Sequence, residues 1–214
     1  MSRILITSII VSLMTAVLYA EEKASLTPAE KQAIAQIQKS GGQAMAVAQN
    51  DLRLEVAFHL SGKPVTANTL KPLQQLPRLI HLNLRSTTFS DKEAPLLKNL
   101  KSLVKLHLEK TKVTNKGLAN LKGLTNLEYL NLYGTQITDA GLVHLSGMKK
   151  LKRLYLWKTK TTPAGIAKLK KSLPKLTVIS EVKLKIIPPK KKTPKKKTPK
   201  KKKPAKKKKL AKKK

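Results

Sequence analysis

A nine-residue pattern recurs four times at an interval of 24 residues, with no gap in any copy. The copies are Leu76–Leu84, Leu100–Leu108, Leu124–Leu132 and Met148–Leu156, each apolar at its first, fourth, seventh and ninth places. A weaker copy is read ahead of them, with Phe58 and Leu60 in the places of Leu82 and Leu84. A closing fragment, Leu173–Ile179, follows with a displacement of one residue. The register holds through the rest of each unit. One apolar column is Val65, Phe89, Val113 and Ile137, with Thr161 as its exception. A second is Leu70, Ala94, Leu118, Leu142 and Ile166, and a third is Leu73, Leu97, Leu121, Leu145 and Leu169. Such a fixed period is the mark of a solenoid, in which each unit packs only on its neighbours.

The spacing within a unit sets its local structure. Apolar residues alternate in the first half, as at Leu82 and Leu84, which is strand spacing. They fall three apart in the second half, as at Leu142 and Leu145, which is helix spacing. Thr66, Ser90, Thr114, Thr138 and Thr162 form a column where each helix would begin. A hydroxyl there can accept a bond from an orphaned helical N–H, worth about 1 kcal/mol. Glu93, three residues after Ser90, is placed to complete a capping box, and Pro163 follows Thr162 where its missing N–H costs little. No unit can bury its apolar face alone. Stacked units share one leucine interior, and each buried leucine contributes roughly 1.5–3 kcal/mol. The expected fold class is α/β: one curved parallel sheet with short helices on the convex side. Thr87, Thr111, Thr135 and Thr159 form a further column, read as hydroxyls that bond the neighbouring turn.

On these residues the chain resembles the leucine-rich-repeat superfamily. The run Gly134-Thr-Gln-Ile-Thr-Asp-Ala-Gly-Leu142 is similar to repeats of exported bacterial proteins, notably of planctomycetes, and to those attached to F-box proteins. No F-box segment is read ahead of the repeats, so no ligase role is expected. The resemblance implies a solenoid that binds ligands on its concave sheet and fixes no particular ligand.

Side chains that alternate with the buried leucines face the concave side. Three columns are read: Ala57, His81, Lys105, Tyr129, Arg153; His59, Asn83, His107, Asn131, Tyr155; and Ser61, Arg85, Glu109, Tyr133, Trp157. Three tyrosines and the only tryptophan fall in them, whereas both phenylalanines fall in core columns. Tyr, Trp and Arg are the types enriched at binding hot spots. The candidate ligand-binding residues are therefore Tyr129, Asn131, Tyr133, Arg153, Tyr155 and Trp157, with His81, Arg85, His107 and Glu109 beside them. The histidines are spaced too widely to share a metal, and no carboxylate pair or serine–histidine arrangement accompanies them. No enzymatic activity, metal or cofactor is expected.

The ends of the chain carry separate signals. Arg3, the apolar stretch Ile4–Leu18 and Ala20 before Glu21 and Glu22 read as a signal peptide over 1–20. Residues 21–51 read as a capping helix over 27–39 and an entry strand. Thr27-Pro28-Ala29-Glu30 starts that helix and Ser40-Gly41-Gly42 ends it. The repeat domain spans 52–187, closed by a last strand and cover over 173–187.

The net charge is +35. Segment 188–214 concentrates it in Lys190, Lys191, Lys192, Lys195, Lys196, Lys197, Lys200, Lys201, Lys202, Lys203, Lys206, Lys207, Lys208 and Lys209, with no acid among them. With so little to bury, this segment is expected to be a disordered tail, resembling those of linker histones, that binds polyanions by counterion release. There is no cysteine, which removes disulfides and thiolate chemistry. The expectation is a monomeric, secreted or envelope-located binding scaffold. Its concave face would take a protein or glycan, and its tail a polyanion: an anionic envelope polymer, lipid or nucleic acid. The alternative is an intracellular nucleic-acid-binding adaptor with a histone-like tail.

Overall fold

The computed structural model describes residues 25–49 and 51–181. The leader, the lysine-rich segment and the end of the closing cover lie outside the described residues. Helix α1 (Pro28–Lys39) begins at the capping box foreseen at Thr27 and Glu30. The Glu30 N–H donates to Thr27 Oγ1 at 3.2 Å, and the Thr27 N–H donates to Glu30 Oε2 at 2.9 Å. Arg78 also donates to this carboxylate, from Nη2 at 2.8 Å and Nε at 3.0 Å. Burial raises the Glu30 pKa, but the Arg78 guanidinium and the Thr27 donors outweigh it and hold the carboxyl below its ordinary range. Ala33 and Ile37, fully buried, cover the first end of the core.

The sheet has seven strands among the described residues, ordered as in the sequence: β1 (Gln43–Ala46), β2 (Leu54–Ala57), β3 (Leu79–Asn83), β4 (Lys105–His107), β5 (Tyr129–Asn131), β6 (Arg153–Tyr155) and β7 (Thr177–Ile179). β1 runs antiparallel to β2, and every later pair is parallel. Leu82, Leu106, Leu130 and Leu154 stand in line across adjacent strands, all at 0% exposure. This is the parallel α/β solenoid that the period predicts. The return segments carry the short helices α2 (Ala67–Leu70), α3 (Asn115–Ala119), α4 (Asp139–Leu142) and α5 (Pro163–Ser172). Tighter 3₁₀ turns lie at Lys71–Gln75, Ala94–Leu97 and Val143–Leu145. Thr66, Thr114, Thr138 and Thr162 stand at the starts of the four helices. Ser90 gives half a capping box: its N–H and hydroxyl both donate to Glu93 Oε2, at 3.0 and 2.7 Å.

Two sequence expectations need correction. In the first repeat, β2 pairs Glu55 with His81, Val56 with Leu82 and Ala57 with Asn83. The leucine places there belong to Val56 and Phe58, not to Phe58 and Leu60, and Leu60 is 69% exposed. The offset to the next unit is 26 residues at this strand, and the loop through Gly62 (φ 63°) takes up the difference. Ala57 thus stands in the second concave column, Glu55 in the first, and His59 and Ser61 leave the columns assigned to them.

The second correction concerns the threonine column. The hydroxyls of Thr87, Thr111, Thr135 and Thr159 donate to Leu84, Leu108, Leu132 and Leu156 O, three residues back in the same unit, at 2.6–2.7 Å. They close their own turns rather than bridging to the neighbour, each sharing its carbonyl with the same threonine's backbone N–H at 3.2–3.3 Å.

The bridge between units on the convex side comes from a column that the sequence reading left unassigned: Asp91, Asn115 and Asp139. Thr114 N–H and Oγ1 donate to the Asp91 carboxylate at 2.7 and 2.5 Å. Thr138 N–H donates to Asn115 Oδ1 at 3.0 Å, and Asn115 Nδ2 donates to Thr138 Oγ1 at 2.7 Å. Thr162 N–H and Oγ1 repeat the pattern on Asp139, at 2.8 and 2.6 Å. These hydrogen bonds hold the Asp139 carboxyl below its usual range. Gly117, Gly141 and Gly165 lie against the three Asx side chains, so closely that a Cβ would collide with each.

Candidate functional site

The concave surface is assembled one strand at a time. Lys105, Tyr129 and Arg153 pair across β4, β5 and β6, as do His107, Asn131 and Tyr155. The ring contacts run diagonally, between side chains of adjacent strands two residues out of register. His107 and Tyr129 have centroids 4.8 Å apart, and Tyr129 and Tyr155 5.2 Å. The Arg153 guanidinium lies 5.4 Å from the Tyr129 centroid. Burial raises the Tyr129 hydroxyl pKa against the opposing hydrogen bond from Asn131. His81 meets Glu55 at 3.4 Å, and burial together with Lys105 lowers its pKa in spite of that carboxylate.

Beyond the strand ends, the chain turns through a left-handed residue in each unit: Ser86 (φ 55°), Lys110 (53°), Gly134 (69°) and Lys158 (55°). The first three send their N–H to the next unit's Glu109, Tyr133 and Trp157 carbonyls, at 2.8, 2.8 and 3.0 Å. That bond selects a conformation that L-residues otherwise avoid. The turn also presents the side chains beside it. Tyr133 and Trp157 stack with centroids 5.0 Å apart and planes 19° apart. Lys158 Nζ lies 5.0 Å from the Trp157 centroid, and Lys110 Nζ 5.9 Å from that of Tyr133.

Six of the ten predicted concave residues line one hollow of about 580 Å³: Arg85, Glu109, Asn131, Tyr133, Tyr155 and Trp157. Tyr129, Arg153, His107 and His81 lie outside its lining, on β3 to β6. Ser86, Lys110 and Ile179 also line the hollow and were missed. Ser86 and Lys110 follow the third concave column by one residue at the same period, which was the available signal. Glu109 departs from the expectation of a solvent-facing side chain, being 7% exposed. Its Oε1 accepts from Asn131 Nδ2 at 2.6 Å and lies 2.8 Å from His107 Nδ1. Its Oε2 is buried without a hydrogen-bond partner. Among the described residues no group of three or more His, Asp or Glu is placed to hold a metal. None of their helices is long and apolar enough to cross a membrane.

Strand, left-handed turn and short return helix, repeated on one leucine interior, decide the architecture. The fold is a leucine-rich-repeat solenoid. Among solved structures, the solenoid is similar to an internalin from Listeria monocytogenes (22% identity, 70% of this chain and 54% of that one, TM-score 0.42). It is also similar to internalin C2 of the same organism (23%, 73% and 87%, 0.40) and to a leucine-rich-repeat protein of Leptospira interrogans (19%, 50% and 38%, 0.33). The chain therefore spans about half the length of the first of these. No family model matches the sequence, and no curated protein matches it.

Proposed function

We propose that this protein is an exported, non-catalytic binding scaffold. The concave face of β4 to β6 takes a protein or glycan ligand, and the lysine-rich segment 190–214 attaches the molecule to a polyanion. One observation carries the reading. Tyr133, Tyr155 and Trp157 gather on the last full units around one hollow, with Trp157 still 38% exposed. Rigid aromatic surface that remains accessible is the composition of a binding hot spot, and burying it in a complex is favourable.

Trp157→Ala and Tyr155→Ala are expected to weaken partner capture at least tenfold while leaving the unfolding midpoint nearly unchanged. Capture equal to that of the parent chain would place the ligand elsewhere. Deleting 190–214 is expected to abolish retention on heparin or DNA in moderate salt while the repeats stay folded. Unchanged retention would refute the role given to the lysines. The mature N-terminus, read by mass spectrometry, tests export: Met1 retained in a soluble cytoplasmic fraction would favour the adaptor reading instead.

A further inference from the structure

We infer that the hollow along the ends of β3 to β7 is a site for an acidic saccharide, a uronate-type pyranose chain. This rests on the reading of the concave face as a binding surface and narrows it to one ligand chemistry. The starting point is Glu109. A side chain nine-tenths buried, lining an open hollow, holds one carboxylate oxygen engaged by Asn131 and His107 and the other with no donor. Buried polar atoms are nearly always bonded, so this oxygen specifies a donor from the ligand: a hydroxyl or an N–H. Glu109 lines that hollow together with Arg85 and Lys110.

Charge narrows the class. Arg85 and Lys110 line the hollow and Lys158 lies over Trp157, so cationic groups outnumber the one acid. A cationic ligand suits Glu109 and is repelled by these three. A phosphodiester chain suits the three and presents its acceptors to the Glu109 oxygen. A uronate unit answers both demands, with hydroxyl donors for Glu109 and a carboxylate for Arg85, Lys110 or Lys158. Its apolar C–H face packs against Trp157, the most accessible ring, where removing that surface from water is favourable. Successive pyranoses advance by a distance close to the ~4.8 Å strand spacing. One unit over Glu109 therefore brings the next toward Tyr133 and Trp157.

Trp157 is the only tryptophan in the chain and lines the hollow, so its fluorescence reports on this site. The experiment titrates the full chain with trigalacturonate at about 0.15 M salt, where screening extends only about 8 Å. Maltotriose, penta-glutamate and a five-residue oligothymidylate serve as separate arms. The expected result is a saturable shift with trigalacturonate and at least tenfold weaker responses to the other three. Glu109→Gln and Lys110→Gln are each expected to weaken the uronate response about tenfold, while circular dichroism stays unchanged. Equal binding of maltotriose would overturn the role of the cations. An equal Glu109→Gln response would overturn the role of the orphaned oxygen. A stronger shift with penta-glutamate or oligothymidylate would overturn the saccharide class while leaving a binding face in place. Silence in all four arms would overturn the inference. The Trp157→Ala capture experiment then decides separately whether the face binds anything.

Discussion

Gly141 and Gly147 lie six residues apart and differ in one respect that the sequence does not show. A Cβ on Gly141 would drive into Asn115, whose Oδ1 and Nδ2 hold the next unit through Thr138, and would meet Ile137 Cγ2 at 3.1 Å. A Cβ on Gly147 meets nothing within 4 Å. Overpacking of this kind costs about 1–3 kcal/mol. Displacing Asn115 weakens two hydrogen bonds at about 0.5–1.5 kcal/mol each. Alanine returns about 1 kcal/mol of helix propensity, because Gly141 is helical. Gly141→Ala is therefore expected to destabilise by about 1–5 kcal/mol. Gly147→Ala should be neutral or stabilising by up to about 1 kcal/mol. Urea unfolding followed by Trp157 fluorescence and far-ultraviolet circular dichroism reads the difference. At a slope of about 2 kcal/mol/M the Gly141→Ala midpoint falls by at least about 0.5 M. Two variants with the same midpoint would show that the Asx side chains do not carry the coupling between units.

Other predictions address the capping helix, the turns and the threonines. Glu30→Gln is expected to cost about 1–3 kcal/mol at neutral pH, since it leaves the partly exposed Arg78 guanidinium with a neutral partner. Because the folded pKa of Glu30 lies below its ordinary value of 4.5, its contribution is complete above that value and is lost as pH falls through the folded pKa. Thermal melts should accordingly converge for parent and variant in strong acid, and a constant gap would refute this. Lys110→Gly relieves about 1–2 kcal/mol of left-handed strain against about 0.5–1 kcal/mol of added chain entropy. It should leave stability equal or slightly raised, and a clear loss in chemical denaturation would contradict the turn geometry. Thr135→Val removes the hydroxyl bond to the Leu132 carbonyl at a site 1% exposed and should cost about 1–2 kcal/mol in the same assay. An unchanged midpoint would mean that the turn holds without its hydroxyl.

The fold was legible because the leucine columns are redundant. Leu82, Leu106, Leu130 and Leu154 repeat at one interval, and the strands of a stacked solenoid must align them. Legibility failed where redundancy ended. Leu54, Val56, Phe58 and Leu60 alternate without interruption, and a slip of two residues along such a strand keeps every side chain on its own face. Periodicity therefore could not choose between Val56/Phe58 and Phe58/Leu60. What decides it is that the chain must leave the sheet before Leu60 to make the turn through Gly62.

The candidate site divides in the same way. Which residues share the concave face follows from alternation, so Tyr133 and Trp157 fell together on paper before they stacked in space. Whether one of them is buried depends on its neighbours in the adjoining units, and no pattern within a single unit carries that information. Glu109 is enclosed because Asn131, 22 positions later, reaches back to it while His107 closes from its own strand. The same holds on the convex side, where Asp91 and Asn115 look like helix-start residues within their own units and act on the threonine of the next. In a solenoid the unit of sequence is one repeat, but the unit of chemistry is the junction between two. A column read down the period gives the scaffold, whereas a binding site has to be read across it, by asking of each polar side chain which residue of the following unit can reach it.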